Sequence, residues 1–140
     1  RVEFRAGDFH TIDLEAALFD IVVLGHICRT EGDERSRRLV DRAFAALKPG
    51  GQVLLADYFT DRERKYNPFG VQMGLTMLAN TTRGGLLTNE QVCDWLRGSG
   101  FEAIRLLEPI GFNYVDMATK PEGRLQGPRR RNPHNKLLTC

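Results

Sequence analysis

At 140 residues, with 41% hydrophobic and 27% charged side chains, the chain has the composition of one soluble globular domain, which excludes fibrous and disordered classes. The longest apolar run, Phe19–Cys28, is about half of a membrane span and holds Asp20 and His26, so no span is expected. The net charge of +2 is spread unevenly: beyond Pro121, Arg124, Arg129, Arg130, Arg131 and Lys136 face Glu122 alone, which leaves the body slightly acidic and without a nucleic-acid footprint.

The first residue is Arg1 rather than Met, and the chain reads as a piece of something longer. Val2–Ala6 alternates apolar and polar residues up to Gly7, the pattern of a short strand with one buried face. Phe19–Gly25 differs, because Ile21, Val22, Val23 and Leu24 are continuous, as in a strand buried on both faces; it is expected at the centre of a sheet. Asp33–Lys48 repeats apolar residues at Leu39, Val40, Ala43, Phe44 and Leu47, one face of a helix, with Asp33 and Glu34 suited to its first turn. Pro49, Gly50 and Gly51 should end that helix, and Gln52–Tyr58 follows as a second strand. Strand, helix and strand make a βαβ unit, so the two strands should be parallel. Pro68–Asn80 has helical spacing despite Gly70 and Gly74. Thr88 and Gln91 have the form of a capping box for a third helix that stops at Gly98 and Gly100. Two more strands are expected near Phe101–Leu107 and Asn113–Thr119.

Three cysteines, Cys28, Cys93 and Cys140, are not spaced as a disulfide framework or a CxxC metal pattern, so no disulfide is expected, and the amino terminus lacks the layout of a secretory signal. Together these point to a reducing cytoplasm. In an open α/β sheet, ligands bind beyond the carboxyl ends of the parallel strands. That rule selects Gly7-Asp8-Phe9, the stretch Gly25–Gly32, and Asp57-Tyr58. Each has a plain reading too: an Asp after a Gly is a common turn residue, His26 can be a hydrogen-bonded strand end, and Met73, Met77 and Trp95 suit a core.

The ordered series carries more than any one item. Gly7-Asp8-Phe9, Val23-Leu24-Gly25-His26-Ile27-Cys28, Ala46-Leu47-Lys48-Pro49-Gly50-Gly51, Leu54-Leu55-Ala56-Asp57, Met77-Leu78-Ala79-Asn80-Thr81, Trp95-Leu96 with Gly100-Phe101, and Ala118-Thr119-Lys120-Pro121 resemble the bacterial small-molecule O-methyltransferases of class I, related to the plant caffeate-type enzymes. The resemblance covers residues 1 to 121. It implies S-adenosylmethionine (SAM) as cofactor, a small-molecule hydroxyl or phenol as acceptor, no nucleic-acid or membrane partner, and a homodimer for the full-length protein. By the same resemblance Asp8 and Phe9 contact the adenine, His26 lies near the methionine portion, and Met77 and Asn80 face the acceptor.

Two departures follow from the comparison with that family. Arg29 stands where this branch usually has a histidine base, and Asp57 stands at the acid that orients it, one methylene shorter than the usual Glu; a second family acid falls near Leu86, where none is present. An arginine stays protonated and cannot accept a proton. From the catalytic pair Arg29 and Asp57, the arginine is therefore expected to lower the pKa of a phenol or to grip a carboxylate. The second departure is the glycine-rich loop and the following acid, neither of which occurs. The expected fold is thus α/β, a Rossmann-like methyltransferase sheet that is incomplete, its amino-terminal strands and glycine-rich loop missing. Family sheet order puts the missing strands between the one ending at Asp8 and the one ending at Gly25, so Val2–Ala6 should lose its neighbour and the sheet should expose an apolar edge. Residues 1–121 are read as the partial domain and 122–140 as a basic, disordered tail. The expected function is methyl transfer from SAM to a hydroxyl, as part of a larger enzyme. A methyltransferase-like binding or dimerisation module is the alternative, and nucleic-acid binding through Arg129–Arg131 is disfavoured because no aromatics interleave with them.

Overall fold

β-branched and leucine side chains in succession favour extended backbone, and Phe19–Gly25 forms the first strand, β1. The computed structural model describes residues 2–123. A helix, α1 (Cys28–Ala46), leads into β2 (Leu47–Asp57), then α2 (Pro68–Asn80), α3 (Asn89–Gly98), β3 (Glu102–Leu106) and β4 (Tyr114–Thr119). The sheet runs β1-β2-β4-β3. β1 lies parallel to β2 with Ile21 opposite Gln52 and Gly25 opposite Ala56, while β4 is antiparallel to both β2 and β3. The βαβ unit is therefore as expected, and the central strand is β2.

The register sorts side chains onto two faces, because paired residues of neighbouring strands point the same way. Val22 and Leu24 share a face with Val53, Leu55, Asp116 and Ala118. α1 and α3 cover that face with Leu39, Val40, Ala43, Val92, Trp95 and Leu96, all buried. The other face is largely bare along β1, where Ile21 is 55% and Val23 60% exposed.

Four expectations need correction. Val2–Ala6 is not a strand, and its side chains are exposed; isolated extended backbone has no neighbour to supply ladder hydrogen bonds. β1 is an edge strand exposed on one face, not a central strand buried on both. Both findings agree with the expected loss of a neighbour and the exposed apolar edge. The helix expected over Asp33–Lys48 ends at Ala46, and Pro49 to Gly51 lie inside β2 rather than in a turn. The irregular pairing between Phe19 and Ile21 absorbs them, since a bulge tolerates a residue without an N–H donor. The same helix begins earlier, at Cys28, with a break at Gly32 (φ 75°, ψ 175°). A side chain there would meet the Arg83 carbonyl at 2.6 Å, so only glycine lets the chain pass from the first turn into the long helix.

α2 has the expected bounds. Asn67 caps it by accepting the Gly70 N–H at 3.2 Å, and Pro68 occupies its first turn. Gly74 is needed because Leu86 packs where its Cβ would be. The α3 capping box is complete: Gln91 N–H donates to Thr88 Oγ1 at 3.2 Å, and Thr88 N–H donates to Gln91 Oε1 at 3.0 Å. The basic segment expected over 122–140, with Arg129–Arg131, lies outside the described residues from Arg124 onward.

Candidate functional site

The carboxyl ends of β1 and β2 deliver their polar residues to one place. At the end of β1, His26 adopts φ 53°, and its N–H donates to the Ala56 carbonyl at 2.8 Å. A histidine in the left-handed region is strained, and such residues gather at functional sites. This turn aims the imidazole toward the tip of β2 and starts α1, whose first turn carries Arg29.

Asp57, the last residue of β2, is wholly buried. Its carboxylate accepts Arg29 Nη1 at 2.5 Å, the Tyr58 N–H at 2.8 Å and, at a longer 3.4 Å, the Arg29 N–H. Buried charge is tolerated only when paired and hydrogen-bonded, and Asp57 meets both conditions. Arg29 Nη1 also lies 2.8 Å from His26 Nδ1. Because a guanidinium can only donate, Nδ1 is the acceptor there and the neutral ring carries its proton on Nε2. Arg29 stacks over the Tyr58 ring with 4.9 Å to the centroid, while its Nε is buried without a partner.

An aromatic wall leads outward from this cluster. His26 to Tyr58, Tyr58 to Phe69 and Phe69 to Phe112 have ring centroids 4.8, 4.9 and 5.1 Å apart. Neither Phe69 nor Phe112 is expected at the site from the sequence; Phe69 reads there only as an apolar position of the Pro68–Asn80 helix, and Phe112 joins through long-range packing alone.

Arg29, Asp57 and His26 are thus brought together, and the other expected residues fall into three different places. Phe9 lines a cavity of about 350 Å³ with Ile12, Leu14, Val23, Gly25 and Ile27, on the side of β1 next to the His26 turn. Asp8 is directed away from it: its carboxylate accepts the His10 N–H at 2.8 Å and lines a second cavity with Arg35, Arg38 and Asp41. Met77 is half-buried and packs beside Gly84, in the loop whose Gly85 N–H donates to the Arg29 carbonyl at 3.0 Å. Asn80 is exposed and donates to the Thr76 carbonyl of its own helix at 2.8 Å.

The segment carrying Asp8 and Phe9 is pinned through His10, whose Nε2 contacts both Glu31 and Arg35 of α1. Glu31 accepts Arg35 Nε at 2.6 Å and lies 2.7 Å from His10 Nε2, which ties residue 10 to α1. These partners are 21 residues apart, and nothing local in the sequence announces them.

Cys28 lies between the cluster and the core. Burial pushes its thiol up to about 12; a hydrogen bond involving Ser36 pulls the other way, and the charges of Asp57 and Glu31 raise it further. Thiolate is the reactive form, so iodoacetamide at about pH 8 should leave Cys28 unmodified in the native protein and label it in urea, as read by peptide mass. Labelling at equal rates in both states would contradict the burial. Among the described residues there is no His, Cys, Asp and Glu cluster able to hold a metal, and no helix is long and apolar enough to cross a membrane.

Comparison with known proteins agrees with this architecture. The family model for the O-methyltransferase domain matches residues 1–102. The tetracenomycin polyketide synthesis 8-O-methyl transferase TcmO of Streptomyces glaucescens is 31% identical over 121 residues, which are 86% of this chain and 35% of that protein. Acetylserotonin O-methyltransferase of Mus musculus is 31% identical over 123 residues, 88% of this chain and 31% of that protein. The crystal structure of human N-acetylserotonin methyltransferase in complex with SAM superposes with a TM-score of 0.76 at 24% identity, covering 85% of this chain and 34% of the other. The chain spans about a third of the length of these relatives.

Proposed function

We propose, because this chain belongs to the O-methyltransferase domain family, that it forms the acceptor side of an enzyme that moves a methyl group from SAM to a hydroxyl or phenol of a small molecule. The observation carrying this reading is the convergence of His26, Arg29 and Asp57 at the carboxyl ends of adjacent parallel strands, within the region that the family match covers. The relatives' names supply the reaction: TcmO and the acetylserotonin enzyme are O-methyltransferases.

The chemistry of the Phe9 cavity fits part of a nucleoside. An aromatic ring and aliphatic walls at a strand's carboxyl end can cover a purine face, and about 350 Å³ is within the range of small-molecule pockets. Phe9 and Asp8 would hold the adenine and His26 the methionine portion; Asp8 would have to exchange its bond to the His10 N–H for one to the ligand. When bound, SAM supplies a methyl on a sulfonium centre. The protein's own part is alignment: Tyr58 and Phe69 give a flat acceptor a wall, Met77 bounds the acceptor side through the loop bonded to Arg29, and Asn80 would turn toward the acceptor from the end of α2. The whole protein is read as a cytoplasmic homodimer, with the exposed Leu75 and Leu78 of α2 as apolar surface for a second subunit.

The test uses the full-length protein. SAM binding by calorimetry, together with one added methyl on a phenol or alcohol by mass spectrometry, is the expected result. Binding without turnover against a broad acceptor panel would favour the non-catalytic module instead, and no binding would refute the reading.

A further inference from the structure

We propose that this site accepts only oxygens that are already ionised, acidic phenolates or carboxylates, because no group of the His26, Arg29 and Asp57 cluster, among the described residues, is placed to take a proton from the acceptor. The inference rests on the methyl-transfer reading above. Arg29 is permanently protonated. Asp57, with its side chain 1% exposed, spends its oxygens on Arg29 and the Tyr58 N–H and cannot be reached by an acceptor. His26 is the accessible member, its side chain 39% exposed, but its one lone pair accepts from Arg29 Nη1 and its free nitrogen bears a hydrogen. What the cluster turns outward is therefore a donor, His26 Nε2–H, and its buried surplus, Arg29 Nε, is a donor as well.

Among the described residues, the remaining groups facing the cluster do not change this. The residue after β2 is Tyr58, a phenol whose ring is covered by the guanidinium; α1 adds Cys28, buried, and Glu31, held by Arg35 and His10; α2 adds Phe69; and the loop after it adds backbone at Gly85. The charge of Arg29 is matched by Asp57 at 2.5 Å, so the pair is close to neutral and the acceptor must bring its own acidity. The transfer then balances without a base. The acceptor oxygen's electron pair forms the new O–C bond, the C–S pair stays on sulfur, the sulfonium charge and the oxyanion charge cancel, and no proton moves. Donors favour an anionic oxygen over a neutral one, since charge-assisted hydrogen bonds are about twice as strong.

4-Nitrophenol tests the proposal without turnover, because its absorbance distinguishes phenol from phenolate. Bound to the full-length protein with S-adenosylhomocysteine present, it should titrate at least about one unit below its free value, a tenfold preference for phenolate. An unchanged or raised value, or no binding, overturns the proposal. Turnover gives a second arm: rates across phenols of graded acidity should follow the ionised fraction of each. Methylation of weakly acidic phenols or alcohols, with a pH limb that belongs to the protein, would also overturn it while leaving the methyltransferase reading intact. Failure to bind SAM would strike the methyl-transfer reading and this proposal with it, an outcome distinct from the nitrophenol result, which strikes the proposal only. Arg29→His should open the site to weakly acidic phenols, with gains of about 10²–10⁴-fold, the usual contribution of a positioned base; the wild-type titration decides the matter if that variant does not fold.

Discussion

Asp57→Ala is expected to destabilise the protein by about 3–5 kcal/mol, the cost of removing one partner from a buried ion pair. The substitution strips the acceptor from Arg29 Nη1 and from the Tyr58 N–H, and leaves a guanidinium only 15% exposed with no anion beside it. Domains of this kind are stable by about 5–15 kcal/mol in total, so the urea midpoint should fall by a large part of its value. The exposed pair Lys48–Asp20 provides the contrast. Its side chains are 45% and 80% exposed, and Asp20→Ala should cost at most about 1 kcal/mol. Equal losses in the two variants would mean that burial does not govern these pairs. A result near zero for Asp57→Ala would remove the claim that the tips of β1 and β2 are locked together by charge.

A second large effect concerns pH. Asp116 sits on the buried face of β4 opposite Leu55, and that burial raises its carboxyl to about 7, partly offset by the Asn89 amide, which donates to it at 2.7 Å. The folded protein therefore holds a proton that the unfolded chain, with the ordinary carboxyl value of 3.8, gives up. Its contribution to stability is complete below the unfolded value, is lost as pH rises, and is gone above about 7, where both states are ionised. At about 1.4 kcal/mol per unit the loss amounts to roughly 4 kcal/mol. Asp116→Asn keeps the shape and a hydrogen-bonding group but does not titrate. Urea unfolding of both proteins at a series of pH values should give a difference in favour of the variant that grows from acid to neutral and then levels off. Parallel curves would show that this carboxyl does not change its protonation on folding.

The elements whose signals are local were legible in the sequence, and those that depend on partners were not. Pro68–Asn80 and the Thr88–Gln91 box carry their own caps, so their bounds follow from a few neighbouring residues. A continuous apolar run such as Ile21–Leu24 records that both faces suit burial without saying what covers them, and here one face is open. Val2–Ala6 shows the converse: alternation states a preference, but a strand exists only where a second one accepts its hydrogen bonds. Pro49 and the two glycines after it look like a stop, yet β2 carries them through a bulge. At the site, Arg29 and Asp57 are legible through family resemblance, while their direct pairing and the contact of Glu31 with His10 are not, because they link residues 28 and 21 positions apart; His26 and Arg29 are three residues apart, but their contact depends on the turn at His26.

The placement of β2 has a consequence for biosynthesis. Its first flank pairs with β1, which leaves the ribosome before it, but its second flank pairs with β4, with Gln52 opposite Thr119. At about 5–20 residues per second, that flank stays open for several seconds of translation. During this interval Val53, Leu54 and Leu55 offer a template to any other nascent chain, so slowing elongation between β2 and β4 should raise the insoluble fraction, whereas slowing it after Thr119 should not.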